Sequence, residues 1–241
     1  MIAGFIITGN AEKRVLLRAQ GPSLTLFGIS NALLDPILEL RNSNSSLETN
    51  DNWFDSPRRS EFEGGPFQPG DGRESVVLRN LAAGNYTASL TGKNNTSGVG
   101  IVEAYDLDQG ADAQLANIST RGFVEAGNNV MIGGFILGGS TNDTRVAVRG
   151  IGPSLAQFGL NPVLQDPTLE LRDANGVLLV ENDDWTSDPT SAALLTANGL
   201  GLGDLKEAGI FTELPAGQFT AILAGKNGGI GIGLVEIYNL Q

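Results

Sequence analysis

The chain has 241 residues, a net charge of −12 at pH 7, and neither Cys nor His. Disulfides, Cys/His zinc sites, thiol nucleophiles and His general bases are therefore excluded, and so acidic a chain is a poor partner for nucleic-acid phosphates. Hydrophobic residues at 41% and charged residues at 17% are the proportions of a folded domain, and no apolar run nears the roughly 20 residues of a membrane-spanning helix, so no membrane insertion is expected.

Residues 1–5 lack the basic start of a secretion signal and read as a strand. The next strand carries Arg14, Val15, Leu16, Leu17 and Arg18, with Val15 and Leu17 inward. Gly21, Pro22, Ser23 and Leu24 open a short helix candidate over residues 22–29, where Ser23 reads as a turn or helix cap, since a serine nucleophile would need a base. After Asp35 and Pro36, Leu38 and Leu40 alternate with Glu39 and Arg41, the period-two signal of a half-buried strand. The acidic turn Asn50, Asp51, Asn52 leads into Trp53. Ala83 and Gly84 precede a strand with Tyr86, Ala88 and Leu90 on one face. Gly98 and Gly100 leave one face of the last strand bare, which suggests close approach of another backbone or ring. Glu103 sits within that otherwise apolar strand, and a half-buried carboxylate calls for a partner. Arg18, on a neighbouring strand, is the natural one.

The whole series then recurs. Phe5 returns as Phe135, Val15 and Leu17 as Val146 and Val148, and Gly21 to Leu24 as Gly152, Pro153, Ser154 and Leu155. Asp35 returns as Asp166, Leu38 and Leu40 as Leu169 and Leu171, and the acidic turn as Asn182, Asp183, Asp184 and Trp185. Arg18 returns as Arg149, Lys93 as Lys226, and Glu103 with Tyr105 as Glu236 with Tyr238. Asn175 and Gly176 mark a hairpin, and residues 189–197 are a second short helix candidate. The period is too long for a solenoid, so each copy is a domain. The expected fold is all-β: two tandem antiparallel β-sandwich, jelly-roll-like domains of about eight strands each. They fall at residues 1–108 and 131–241, with residues 109–130 as an ordered connection that contains a strand at 115–124. No counterpart of that strand stands before residue 1, so the repeat reads as cut from a longer array, with an open sheet edge.

Three chemistries have candidate residues. Asp35, Asn50, Asp51 and Asn52, with Asp166, Asn182, Asp183 and Asp184, offer the loop oxygens that Ca²⁺ requires; Asx-turns are the competing reading. Trp53 and Trp185 could stack on a polysaccharide or close the sandwich end. Ile118 and Phe123 could dock the connecting strand onto a neighbouring module, because an unpaired edge accepts a strand. Sequons at Asn44, Asn85, Asn94, Asn95, Asn117 and Asn142 would matter only in a secretory host.

Asp35, Pro36, Leu38 and Leu40, the acidic turn with Trp53, and the Ala83, Gly84, Tyr86 run resemble bacterial pre-peptidase C-terminal-like β-sandwich domains; residues 166–185 carry the likeness best. Residues 115–139 are similar to a repeat near the C-termini of large secreted bacterial proteins, of the kind found in Verrucomicrobia. The resemblance implies a secreted, extracellular or cell-surface, non-catalytic module, sometimes associated with Ca²⁺. The repeat and its open edge suggest neighbouring copies or adjacent repeats as partners, with polysaccharide at Trp53 or Trp185 as the alternative.

Overall fold

The computed structural model describes residues 1–138 and 143–240, and of the expected features only the sequon at Asn142 lies outside them. The chain divides into two compact units, Met1–Ala116 and Asn117–Gln241. The division falls inside the connection expected at 109–130.

Unit 1 contains β1 (Ile2–Gly9), β2 (Lys13–Gln20), β3 (Pro36–Asn42), β4 (Ser46–Asn50), β5 (Ser75–Leu81), β6 (Gly84–Gly92) and β7 (Ile101–Asp106). One sheet has the order β4-β3-β6-β1 and the other β5-β2-β7, with antiparallel ladders. Strand β8 (Ala113–Val124) starts in unit 1, where Ala113 and Leu115 pack on the core, and continues into unit 2. Unit 2 adds β9 (Met131–Leu137), β10 (Thr144–Ile151), β11 (Pro167–Asp173), β12 (Leu178–Asn182), α1 (Pro189–Ala197), β13 (Ala208–Leu214), β14 (Gly217–Gly225) and β15 (Gly231–Leu240). Its sheets run β12-β11-β14-β9 and β13-β10-β15-β8. The expected fold, two tandem antiparallel β-sandwiches, is what forms.

Each unit has two apolar clusters, because the sheet around β2 or β10 is covered on both faces. Val15, Leu17 and Ala19 pack with Leu38, Leu40, Ala88 and Leu90 between the sheets, while Leu16 points the other way, to Val76, Leu78 and Phe62. This is why Val15, Leu16 and Leu17 are apolar in succession on β2. In unit 2, Val146 and Val148 face the sandwich core, and Ala147 faces Leu155, Leu195 and Leu202.

The second helix candidate is α1, with Asp188 accepting the amides of Thr190 (3.0 Å) and Ser191 (3.3 Å) and Pro189 in the first turn. The first candidate is a 3-10 turn over Pro22–Phe27, ended by Gly28 at φ 84°. The bare glycine face serves packing: a Cβ on Gly98 would lie 2.6 Å from Leu33 N, and one on Gly231 2.5 Å from Val163 C.

Candidate functional site

Four polar or apolar arrangements recur in both units. The most buried is a carboxylate clasp. Glu74, fully inaccessible, accepts the amides of Gly21 (3.1 Å) and Ser23 (2.9 Å) and the Ser23 hydroxyl (2.9 Å). Glu207, also fully inaccessible, accepts Gly152 N (3.2 Å), Ser154 N (3.0 Å) and the Ser154 hydroxyl. The recurrent Gly-Pro-Ser-Leu turn is thus held by a distant carboxylate, and the serine hydroxyl spends its proton in that clasp. Neither glutamate was singled out from sequence. The available signal was a Glu at matching positions just before β5 and β13.

The second arrangement is an acidic turn closed by lysine. Lys93 Nζ lies 2.6 Å from Asp51 Oδ2 and 3.9 Å from Asp35 Oδ2. In unit 2, Lys226 pairs with Asp183, and its amide donates to Asp166 O at 2.8 Å. Hydrogen bonding to Asp51 and Asp183 respectively raises both ammonium pKa values. Carboxylate oxygens of Asp166, Asp183 and Asp184 lie within 4.8 Å of one another, close enough to share an ion; unit 1 has Asn52 where unit 2 has Asp184. Asn50 and Asn182 do not join these oxygens. Asn50 Oδ1 accepts Val76 N (2.9 Å) and its Nδ2 donates to Asn52 O (2.9 Å). Asn182 does the same with Gly209 N (2.8 Å) and Asp184 O (3.2 Å). They are brackets between strand and turn, and Asn52 Nδ2 turns to Asp55 (3.3 Å).

The third is the cross-strand pair anticipated from sequence. Arg18 and Glu103 stand opposite each other on β2 and β7, with Nε 2.5 Å from Oε2, and the Tyr105 hydroxyl donates to Glu103 at 2.8 Å. Arg149 and Glu236 repeat the pair at 3.3 Å, as an ion pair without hydrogen-bond alignment. Burial raises the Glu236 pKa against the pull of Arg149, and burial followed by the Glu236 charge pushes Tyr238 up to about 12.

Aromatic residues form the fourth. Trp53 and Trp185 are half-buried members of the outer clusters, with the Arg59 guanidinium 5.4 Å from the Trp53 ring centroid and Phe62 edge-on at 6.3 Å. Of the two readings of these tryptophans, this packing matches the one that closes the sandwich end. The most exposed aromatics among the described residues are Phe27 (81%) and Phe158 (73%), at matching positions after the clasped turns. A polar depression in unit 1, lined by Glu12, Glu48, Arg58 and Arg79, is open to solvent.

The docking pair Ile118 and Phe123 lies on the strand that pairs with β15. On β8 they face opposite sides: Ile118 pairs with Ile237, whose side chain is in the core, and Phe123 is half exposed beside Ile232. The β8 side chain that enters the core is Val124, fully inaccessible. Asn117 is buried and donates to Ile237 O (3.1 Å), so its sequon is closed to a glycan in this fold.

No family model and no curated protein matches the chain. Among solved structures it is similar to the crystal structure of the STIV MCP, at 16% identity and TM-score 0.28, over 99% of this chain and 91% of that one. It is also similar to the M60 catalytic domain with the CBM51-1 and CBM51-2 domains from Clostridium perfringens ZmpB, at 8% identity and TM-score 0.25, over 99% of this chain and 34% of that one. Overlaps this loose carry no argument, and the architecture rests on the strand pairing itself.

Proposed function

We propose that this chain is a non-catalytic, extracellular structural module that assembles with modules of its own kind by strand addition. The observation that carries the reading is a difference between the copies: β8 borders β15 in unit 2, whereas β7, the counterpart of β15, ends its sheet among the described residues. An unpaired edge offers backbone donors and acceptors to another strand. Two further features support it. Carboxylates that could serve acid–base chemistry are tied up in the same structural bonds in both units, and Phe27 and Phe158 present apolar surface to a neighbour. Light scattering across a concentration series tests the reading. Species that grow with concentration are expected, and a 25.2 kDa monomer throughout would overturn it.

A second reading, Ca²⁺ binding, is favoured by the grouping of Asp166, Asp183 and Asp184. Lys226 already supplies a positive charge there, so Ca²⁺ has to displace or join an ammonium. Calorimetric titration showing heat that Asp184→Asn abolishes would favour this reading, and no heat would remove it.

A further inference from the structure

From the two copies we infer that the outer edge of β7 is the acceptor for one kind of strand, a β8-type strand of another repeat, in a register set by the β8–β15 ladder. The inference rests on the assembly reading above and adds the occupant and the pairing. In unit 2, β8 runs antiparallel to β15 with Asn117 opposite Tyr238, Ile118 opposite Ile237, Ser119 opposite Glu236, Thr120 opposite Val235 and Val124 opposite Gly231. Strands β7 and β15 are the same element twice over. Glu103 faces Arg18 on β2 just as Glu236 faces Arg149 on β10. Transferred through those matched pairs, the incoming strand sets its Ser119 position opposite Glu103, its Ile118 position opposite Ala104 and its Asn117 position opposite Tyr105.

Burial shows what this strand covers. Along β15, Gly231, Gly233, Val235 and Ile237 are buried and alternate with half-buried residues. The counterparts in unit 1 have lost that contrast: Val102 and Ala104 on β7 are only half-buried, and Gly98, just before β7, is exposed. Met131, the repeat of Met1, is 7% exposed, whereas Met1 is 38% exposed. The side chain of Val124 reaches the space beside Gly233, where an added Cβ would lie 3.2 Å from it. Gly100, the counterpart of Gly233, meets only Leu90, Leu33 and Gln20 at that range. The occupant is therefore an extended segment with a polar amide at the Asn117 position, a β-branched apolar residue at the Ile118 position and Val at the 124 position. Asn117 adds a specific contact, since its amide donates to Ile237 O, whose counterpart on β7 is Ala104 O.

The test uses the full chain and a synthetic peptide of residues 113–126. Hydrogen exchange with and without peptide should show protection of β7 amides rising at least tenfold, with β9, a sheet-end strand of unit 2, unchanged. Register is read by cross-linking, which the absence of Cys makes clean: a peptide with Ile118→Cys should form a disulfide with Ala104→Cys and not with Val102→Cys, because directly opposite Cβ atoms approach closely enough and diagonal ones do not. A peptide with Val124→Asp should lose the effect. Protection at β9 instead of β7, cross-linking through Val102→Cys, or no binding would each overturn the inference. Refusal of the peptide by a chain that still assembles would leave the assembly reading standing without this edge. Acceptance of the peptide by a chain that stays monomeric would do the reverse.

Discussion

Glu74 and Glu207 do the same work in two places, and their loss should be felt equally. Each buried carboxylate satisfies two turn amides and a hydroxyl, so Glu74→Ala or Glu207→Ala leaves buried donors without acceptors. Each substitution is expected to cost about 1–3 kcal/mol, read from denaturant melts of the full chain. Tyr238 gives a pH signature. Its phenol is raised to about 12, against about 10 for an unfolded tyrosine. The folded state thus holds its proton longer, and the stability this contributes is lost as pH climbs from about 10 through the folded value. Among the three tyrosines, phenolate absorbance should show one late step near 12 that Tyr238→Phe removes. The ion pair at this site was legible in sequence because both partners alternate on recognisable strands and recur together. The glutamate clasp was not, because its acceptors meet backbone amides more than fifty residues away, and backbone donors leave no mark in the sequence.

For single elements, period two identified the strands and the second copy fixed their inward faces: Leu38 and Leu40 are core, as are Leu169 and Leu171. The reading faltered where both sheet faces are covered. On β8 the large side chains Ile118 and Phe123 stand out as docking residues, yet they lie on opposite faces: Phe123 is half exposed, and the smaller Val124 enters the core on the Ile118 face. Trp53 and Trp185 illustrate the same difficulty, since an aromatic after an acidic turn suits a sugar platform or an outer core cluster equally well until the covering loop is placed. Val124→Asp is expected to destabilise unit 2 by more than about 3 kcal/mol, because it buries an unpaired charge; Phe123→Asp, on the exposed side, should cost well under about 1 kcal/mol. Circular dichroism melts of the two variants, side by side, separate the faces.

Taken as a whole molecule, the two units differ in the acidic turn as well as in the sheet edge. Lys226→Met leaves three carboxylates around one site, and Lys93→Met leaves two. Thermal melts should therefore show the larger loss for Lys226→Met, with added Ca²⁺ restoring more of that loss than of the loss at Lys93→Met.

Strand β8 precedes the first residue of the second sequence copy, yet it belongs to the sheet of that copy. The phase of the sequence repeat and the phase of the folded body are thus offset by one strand. A gene fragment cut where the letters begin to recur, at residue 131, would encode a body shorn of its border and prone to precipitate, whereas one begun near residue 113 would carry its own hem. Recombination that shuffles such repeats would yield soluble offspring only when its crossovers respect the second frame.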